Sequence, residues 1–271
     1  MEKKIFFTDL DETLLTREKT MTPATIAAVE KLTAMGHYIA LTSGRHLNSM
    51  KEARSLLPIS DRGLFYISDN GGQIVSAETG ERISEIRLTM EEIACLLRAA
   101  EEAGIHSHAY TDTSIVSRKM SPELVFYRKT IHLPVVLTDN IVGELQEPPF
   151  KCLAISLEGR HKLEALRESL LPWAQGHITL ICSTDRLLEM FPAASGKGAA
   201  LKRLAQHLQI PVSRTMSAGD QDNDISMLEA AGLGVAMCNG SQSARDAADV
   251  ITKTDNNHDG LVPFLESFFE L

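Results

Sequence analysis

Short apolar segments alternate with helical segments in both the first and the last part of this 271-residue chain. In the first part, three apolar strands are predicted with a helix between each pair, at Lys4–Thr8, His37–Leu41 and Leu64–Ser68. The alternation returns from a predicted helix at Lys197–Leu208 to a terminal helix at Leu261–Phe269. Strands that alternate with helices at this spacing predict an α/β fold, with a Rossmann-like, doubly wound parallel sheet as its core.

The apolar pattern changes over residues 82–185. Strands and helices are predicted there in a more mixed order, including a strand at Ile105–Ser117 and a helix at Pro122–His132. Such a stretch inside a doubly wound sheet indicates a separate α+β unit. We therefore predict a core domain formed by residues 1–81 and 186–271, and an inserted α+β domain formed by residues 82–185.

The composition limits the partners that are expected. The net charge of −9 opposes broad binding to nucleic acid or to an anionic membrane surface. Apolar runs fall short of the roughly 20 residues that span a bilayer, and MEKKIFFTDLDE lacks the pattern of a signal peptide. The four cysteines have no CxxC spacing and are expected to be reduced thiols. These features predict a cytoplasmic protein without a nucleic-acid or membrane partner. They leave the oligomeric state open between a monomer and a weak dimer.

Two aspartates, Asp9 and Asp11, directly follow the first predicted strand in the segment KKIFFTDLDETLL. Residues i and i+2 of an extended strand lie on the same side, so both carboxylates are expected to emerge together. Two anions this close repel each other, and a divalent cation or the protonation of one group relieves the repulsion. Taken alone, such a pair is more often an acidic loop after a strand, because short motifs match by chance.

Two later segments carry groups that suit a metal ion and a phosphate. The segment AGDQDND places Asp220, Asp222, Asn223 and Asp224 within five positions, and their hard oxygen atoms suit Mg²⁺. Lys197 is the first residue of a predicted helix in SGKGAAL. Its charge is unfavourable at the positive end of the helix dipole, but it would attract a phosphate bound there. Acids that favour a helix N-terminus and a solvated lysine are the alternatives for the isolated segments.

A third segment, Thr42-Ser43-Gly44-Arg45, offers hydroxyl groups and backbone donors at a strand-to-helix turn. Ligands of open α/β sheets bind outside the carboxyl ends of the strands. The segments after the predicted strands are therefore expected to converge on one edge of the sheet. Arg45 is either a supporting contact at that edge or an arginine on a helix surface.

Taken in their order along the chain, the four segments resemble the motifs of the haloacid dehalogenase superfamily of phosphohydrolases, and within it the Cof-type sugar phosphatases with a class IIB cap. The DxDxT motif is matched by Asp9–Thr13, and the second motif, a strand that ends in Thr or Ser, by Thr42 or Ser43. The third motif, a lysine before a helix, is matched by Lys197, and the fourth, GDxxND, by Gly219–Asp224.

This resemblance spans nearly the whole chain and departs at Glu12, where the family most often has glycine. It implies a core of the haloacid dehalogenase type, with the inserted unit acting as a mobile cap that covers the substrate. It also implies a Mg²⁺-dependent phosphatase of small phosphorylated metabolites, with sugar phosphates as the expected class, that acts through an aspartyl-phosphate intermediate.

The resemblance assigns site residues in three groups. The catalytic group is Asp9 as nucleophile, Asp11 as general acid and base, and Lys197. The metal group is Asp9, Asp11 through its backbone carbonyl, Asp220, and Asp224 through the water shell of the ion. The phosphate-binding group is Asp9, Leu10, Thr42, Ser43, Gly44, Lys197 and Asn223.

Two alternatives share the same motifs: a phosphomutase of the same superfamily, and a non-catalytic sensor of a phosphorylated ligand. A Rossmann dehydrogenase fits poorly, because Asp9–Thr13 occupies the turn where GxGxxG would be needed. In the inserted unit, His106 and His108 have the spacing of one strand face and are expected to be structural or surface residues. No role is assigned to the nearby polar residues Arg118, Lys119, Tyr127 and Arg128.

Overall fold

The computed structural model describes residues 2–129 and 131–271. The chain divides into two compact units, a core formed by residues 2–85 with Gly196–Leu271, and an inserted unit formed by Ile86–Ser195. The strands, in chain order, are β1 Ile5–Thr8, β2 Tyr38–Thr42, β3 Leu64–Ser68, β4 Gln73–Ser76, β5 Arg82–Glu85, β6 His106–Tyr110, β7 Ile115–Ser117, β8 Val135–Leu137, β9 Cys152–Ile155, β10 Ile178–Thr184, β11 Leu187–Pro192, β12 Thr215–Gly219, β13 Leu233–Ala236 and β14 Val250–Ile251.

The helices, in chain order, are α1 Pro23–Ala34, α2 Leu47–Ser55, α3 Met90–Glu102, α4 Pro122–Tyr127, α5 Ile141–Glu144, α6 Arg160–Ala174, α7 Lys197–His207, α8 Ile225–Ala230, α9 Gln242–Ala247 and α10 Val262–Phe269. Several begin where the sequence supplies a cap. Thr22 accepts a hydrogen bond from the N–H of Thr25 at the start of α1, which also has proline in its first turn. Across residues 2–129 and 131–271, every helix lacks the length or the apolar content that crossing a bilayer requires.

The core sheet has eight strands in the order β14-β13-β12-β1-β2-β3-β4-β5. Neighbouring strands from β14 to β3 pair in parallel. β4 pairs antiparallel with both β3 and β5. Phe6 packs into a cluster with residues of α1 and α10, whereas Ile5 and Phe7 pack with residues of α7 and α8. Full burial of one such side chain contributes roughly 1.5–3 kcal/mol. Helices cover both faces of the sheet, which confirms the predicted doubly wound α/β fold.

The inserted unit contains a six-stranded sheet in the order β10-β11-β9-β6-β7-β8. Its pairs are antiparallel except for β7 with β8. Residues of α3 and α6 pack against one face of this sheet, including Leu96 and Leu163. The start of α3 is fixed by a capping box in which Thr89 and Glu92 bond to each other's backbone N–H groups.

The boundaries of the two units differ from the predicted ones by several residues at each junction. Arg82–Glu85, predicted to begin the inserted domain, pairs with β4 in the core sheet. Leu187–Pro192, predicted to belong to the core, pairs with β9 and β10 in the inserted sheet. The predicted boundaries followed turn-rich composition, whereas hydrogen bonding between strands decides to which sheet each segment belongs.

Two predicted elements of the inserted unit also differ. The single strand predicted at Ile105–Ser117 is divided into β6 and β7 by a turn, in which Thr111 and Ser114 bond through their hydroxyl groups at 2.7 Å. The helix predicted at Pro122–His132 ends at Tyr127, because Ile131 and Leu133 lie in non-helical chain and pack against the sheet. Thr130, within that predicted helix, lies outside the described residues.

Candidate active site

The polar segments after β1 and β12 meet at one edge of the core sheet. The two strands are parallel neighbours, with Thr8 paired to Ala218. The N–H of Asp9 extends this ladder by donating to the carbonyl of Ala218 at 3.0 Å. Asp9 and Asp220 therefore leave the sheet together at the carboxyl ends of its strands, where open α/β sheets bind ligands.

Three carboxylates form a compact cluster at this edge. Asp9, Asp220 and Asp224 each place one carboxylate oxygen so that the three atoms lie within 4.8 Å of one another. All three residues are buried, with exposed fractions of 7%, 2% and 0%. The fold thus brings together residues predicted from the first and the fourth motifs.

Lys197 lies between two members of this cluster. Its Nζ atom is 2.6 Å from Oδ1 of Asp9 and 2.6 Å from Oδ1 of Asp224. Burial alone would lower the pKa of Lys197, but the charges of Asp224 and Asp9 raise it above its ordinary value. The lysine therefore stays an ammonium ion and offsets part of the buried negative charge.

The loop after β12 holds Asp220 and Asp224 in place. Thr13 donates to Oδ1 of Asp220 at 2.9 Å, and the side-chain amide of Gln221 donates to Oδ2 at 2.9 Å. Oδ2 of Asp224 accepts the backbone N–H groups of Asp220 and Gln221, both at 3.0 Å. A Cβ atom on Gly219 would lie 2.4 Å from Cβ of Asp224, so only glycine permits this approach.

The carboxylate of Asp11 bonds to two cations. Arg45 donates to it twice, through Nε at 3.0 Å and Nη2 at 2.8 Å, and Lys19 donates at 2.8 Å. Burial opposes ionisation of Asp11, but the guanidinium of Arg45 and the ammonium of Lys19 outweigh it and lower the pKa of Asp11. Arg45 is therefore a contact of Asp11, which settles the choice that its sequence left open.

The two hydroxyl groups in the segment at the end of β2, those of Thr42 and Ser43, make different hydrogen bonds. The hydroxyl of Thr42 donates to the carbonyl of Ala40 in its own strand at 3.2 Å. The oxygen of Ser43 accepts the N–H of Arg45 at 3.2 Å. Because Ser43 is the acceptor in that bond, its hydroxyl can still donate, as a phosphoryl oxygen requires.

The remaining predicted phosphate ligands lie in the turns that flank these groups. Gly44 follows Ser43 and is partly buried, and Asn223 lies in the short turn Asp222–Asp224, also partly buried. Leu10 opens an irregular turn after Asp9, in which Glu12 has a φ of 57°. That left-handed geometry favours glycine, which gives a physical reason for the glycine that the family most often has there.

The donor set of the cluster fits a divalent metal ion. Burial, together with the neighbouring charge of Asp224, raises the pKa of Asp220 to about 6. Burial also raises the pKa of Asp9, although Lys197 opposes the shift. Carboxylates whose ionised forms are destabilised in this way are stabilised by a cation, and hard oxygen ligands suit Mg²⁺ or a similar ion. Asp9 and Asp220 are the carboxylates that would hold it, with Asp224 beside them.

The histidines of the inserted unit belong to a row of hydrogen bonds on β6. His106 and His108 bond at 3.2 Å, and His108 bonds to the hydroxyl of Tyr110 at 3.0 Å. Ser121 and Tyr127 extend the row at its two ends, at 3.0 Å and 2.8 Å. This arrangement agrees with a structural role for the histidines.

Sequence reasoning missed two residues that bond directly to the candidate site. Lys19 contacts Asp11 from a surface turn, and its spacing in the sequence carries no signal. Gln221 lies within AGDQDND, but only the acidic residues and Asn223 of that segment carry the signal of a metal site. Thr13 was matched to a motif without a function, and the structure supplies one as a hydrogen-bond donor to Asp220.

Comparison with known proteins identifies the family. The family model described as haloacid dehalogenase-like hydrolase matches residues 6–265. A Streptococcus pyogenes serotype M6 protein that carries a provisional phosphatase name is 28% identical over 268 residues, covering 95% of each chain. The HMP-PP phosphatase of Yersinia pseudotuberculosis serotype I is 28% identical over 231 residues, covering 85% of this chain and 82% of the relative.

A solved structure agrees with the sequence matches. A haloacid dehalogenase-like hydrolase from Bacteroides thetaiotaomicron superposes with a TM-score of 0.85 at 26% identity, covering 98% of this chain and 99% of that chain. The family match extends over nearly all of both the core and the inserted unit. The chain therefore belongs to the haloacid dehalogenase-like hydrolases.

Proposed function

We propose that this protein is a Mg²⁺-dependent phosphatase that hydrolyses small phosphorylated metabolites, with sugar phosphates as the expected class, through an aspartyl-phosphate on Asp9. The observation that carries the proposal is the buried cluster of Asp9, Asp220 and Asp224 with Lys197 between two of its members. Family membership and the phosphatase names of relatives establish the enzyme class, a phosphoric monoester hydrolase.

In the first half-reaction the carboxylate of Asp9 attacks the phosphorus atom of the substrate. The bond between phosphorus and the leaving oxygen breaks as the aspartyl-phosphate bond forms, which divides one difficult hydrolysis into two easier steps. Asp11 gives its proton to the departing alkoxide. Asp11 ends this step as a carboxylate, which is the form that its contacts with Arg45 and Lys19 stabilise.

In the second half-reaction a water molecule attacks phosphorus and displaces the carboxylate of Asp9. Asp11 takes the proton of that water, inorganic phosphate leaves, and both residues return to their starting states. One residue serves both steps because the second step reverses the proton demand of the first. The lowered pKa of Asp11 keeps it ionised after the first step and so ready to accept a proton, although it also makes the carboxylate a weaker base.

Phosphoryl oxygens are expected to be bound by Lys197, the hydroxyl of Ser43, Gly44, and the backbone and side-chain groups of Leu10 and Asn223. Of the two hydroxyl candidates after β2, the bonding of Thr42 to its own strand favours Ser43. When bound, Mg²⁺ supplies neutralising charge for the carboxylates and for the phosphoryl oxygens. Asp9, the backbone carbonyl of Asp11, and Asp220 are proposed as its protein ligands, with Asp224 acting on its water shell.

The inserted unit is proposed to act as the cap that selects the leaving group. Support for this comes from its place in the chain, between the second and the third motifs, and from its own sheet and core. The polar row on β6, with Ser121 and Tyr127 at its ends, is bonded internally and does not single out one specificity residue. A panel of sugar phosphates, nucleotides and cofactor phosphates is therefore the direct way to rank substrates.

The test of the proposed function is turnover of p-nitrophenyl phosphate with and without Mg²⁺. The wild-type enzyme is expected to release phosphate, EDTA to stop the release, and added Mg²⁺ to restore it. Asp9→Asn removes the nucleophile and is expected to lower kcat by at least about a thousandfold. Retained turnover in that variant would remove Asp9 from the mechanism.

A matched control is Asp222→Asn, which removes a carboxylate from the same acidic segment. Asp222 bonds to the hydroxyl of Ser241 and lies outside the three-carboxylate cluster. This variant is expected to keep kcat within about threefold of wild type.

Isomerised sugar phosphate without free phosphate would instead identify a phosphomutase, and phosphate-ester binding without turnover in the wild-type protein would identify a sensor.

A further inference from the structure

Three consecutive residues with left-handed backbone follow β3. Asp69, Asn70 and Gly71 have φ angles of 52°, 55° and 86°. Glycine adopts this geometry freely, aspartate and asparagine tolerate it, and most other residues are strained by it. Asp69 and Asn70 are also buried, with exposed fractions of 1% and 2%. A run of this kind persists where the surrounding structure holds it in place.

Backbone groups of this turn bond to other segments of the core unit. The N–H of Asp69 donates to the carbonyl of Arg45 at 2.9 Å, and that of Asn70 to the carbonyl of Ser43 at 3.2 Å. The carbonyl of Asn70 accepts the N–H of Gly196 at 2.8 Å. A turn that only reversed the chain between β3 and β4 would direct such bonds across its own hairpin. This turn instead joins the loop after β2 to the residue that precedes Lys197.

Neighbouring side chains fix the turn from within the core. The carboxylate of Asp69 accepts the hydroxyl of Ser68 and the side-chain amide of Gln73, both at 3.0 Å. Nη2 of Arg203, on α7, donates to the carbonyl of Gly71 at 2.7 Å. The same helix that begins with Lys197 is therefore bonded to the turn at a second point.

Gly71 and Gly196 approach each other more closely than any other residue type would allow. A Cβ atom on Gly71 would lie 2.4 Å from the carbonyl oxygen of Gly196 and 3.0 Å from Cβ of Ala200. Real Cβ atoms do not sit this close to a backbone oxygen, so a side chain here would displace Gly196. Lys197, the next residue, would move with it.

We propose that Asp69–Gly71 is a positioning element of the phosphate site, and that the backbone of Asn70 and Gly71 sets the distance between Ser43 and Lys197. The inference rests on the proposed function, because it takes Ser43 and Lys197 as ligands of the phosphoryl group. Each ligand is tied to the turn through its own backbone or that of the residue before it. Neither Asn70 nor Gly71 takes part in the chemical steps.

The test compares two glycine substitutions with the same backbone strain. Gly71→Ala and Gly36→Ala both place alanine at a φ above +80°, at +86° and +82°. Within the described part of the chain, a Cβ at Gly36 would meet no atom within 4 Å, whereas a Cβ at Gly71 meets Gly196. For each variant, the Ki of inorganic phosphate, KM and kcat for p-nitrophenyl phosphate, and Tm are measured with Mg²⁺ present.

Gly71→Ala is expected to raise the Ki of phosphate and the KM by at least about tenfold, because small displacements of ligands cost affinity and rate. Gly36→Ala has the same backbone strain without this contact, so it is expected to lower Tm while leaving Ki and kcat within about twofold of wild type. A Gly71→Ala enzyme with lowered Tm but wild-type Ki would overturn the proposal, since it would show a structural role alone.

A second variant keeps the proposal testable if Gly71→Ala does not fold. Asn70→Gly preserves the left-handed backbone and its hydrogen bonds while removing the side chain. Its Ki for phosphate is expected to stay within about twofold of wild type. A tenfold loss in this variant would contradict a backbone role and place the effect in the side chain of Asn70.

The outcomes separate this inference from the proposed function. Wild-type protein that neither hydrolyses the phosphoester nor binds inorganic phosphate would reject the proposed function, and the inference with it. Wild-type protein that does both, together with wild-type phosphate affinity in Gly71→Ala, would reject only the positioning role of the turn.

Discussion

At the scale of single residues, the site depends on one buried ammonium ion between two buried carboxylates. Lys197 has 1% of its surface exposed, and its bonds to Asp9 and Asp224 are both 2.6 Å long. Buried charges are costly unless they are paired, and removal of one partner leaves the others uncompensated. Lys197 is therefore expected to matter for stability as well as for phosphate binding.

Lys197→Met tests this double role. Methionine is similar in length to lysine but carries no charge, so the variant leaves Asp9 and Asp224 without their cation. We therefore expect the free energy of unfolding, measured without metal, to fall by roughly 3–5 kcal/mol. Urea denaturation measures the loss, and phosphatase assays measure the accompanying fall in turnover. Lys202→Met, at an exposed position of the same helix, is the control and should change stability by less than about 0.5 kcal/mol. Equal stability of the two variants would contradict the account.

Much of the site could be predicted at this scale, because motifs place carboxylates and a lysine at the ends of strands. Asp9, Asp220 and Asp224 converge in the structure as their positions in the sequence indicate. The contacts that orient them could not be predicted, since Lys19 and Gln221 reach the site through local turns. Such contacts depend on loop conformation, which the periodicity of apolar residues does not report.

At the scale of elements, β6 carries a row of buried and partly buried titratable side chains. His106, His108 and Tyr110 stand at alternate positions on one face and bond in sequence. Burial lowers the pKa of His106 to about 4 and lowers that of His108 well below its ordinary value. The charge of His106 and that of Lys151 lower the pKa of His108 further, whereas Glu123 acts in the opposite direction on His106.

These shifts predict that the two histidines lower the stability of the protein in mild acid, whereas the raised pKa of Asp220 contributes in the opposite direction. The unfolded state binds a proton at each histidine as the pH falls through 6.5, the ordinary value, while folded His106 resists protonation until about pH 4. Unfolding is therefore favoured progressively between these limits, by up to about 1.4 kcal/mol per pH unit for each extra proton bound. Urea denaturation of the wild-type protein from pH 7 to pH 5 measures this slope.

His106→Gln is expected to reduce the slope, because glutamine does not titrate in this range. His161→Gln, at an exposed position at the start of α6, is the control and should leave the slope unchanged. The comparison uses slopes instead of absolute stabilities, so a general destabilisation by either substitution does not affect it. Identical slopes for wild type and His106→Gln would contradict a partly buried, neutral histidine at this position.

Element types could be predicted from apolar periodicity more fully in the core than in the inserted unit. Continuous apolar runs such as Leu64–Ser68 give strands with the predicted bounds. In the inserted unit, the polar turn Thr111–Ser114 divides one predicted strand, and Leu187–Pro192 forms a strand that was not predicted. Strands buried on both faces read as continuous apolar runs, whereas half-buried antiparallel strands such as β6 and β10 include polar residues that interrupt such a run.

At the scale of the whole molecule, stability and metal binding are linked. A ligand that binds only the folded state stabilises it, by about 2.7 kcal/mol at a hundred times its Kd. We therefore expect Mg²⁺ to raise the Tm of the wild-type protein in a concentration-dependent way. Asp220→Asn removes one carboxylate of the cluster and should reduce this response, whereas Asp222→Asn should retain it. A Tm that is independent of Mg²⁺ in the wild-type protein would contradict a metal site at the cluster.

The proposed mechanism depends on a covalent bond between phosphorus and Asp9. Acid quenching during turnover of a sugar phosphate, followed by borohydride reduction, converts an acyl phosphate to an alcohol and leaves other aspartates unchanged. Mass spectrometry of the peptide that contains residues 5–17 then reports the state of position 9. We expect homoserine at position 9 only in samples that contained both substrate and Mg²⁺. Unmodified aspartate at position 9 in an enzyme that is turning over, with the modification at another carboxylate, would contradict it.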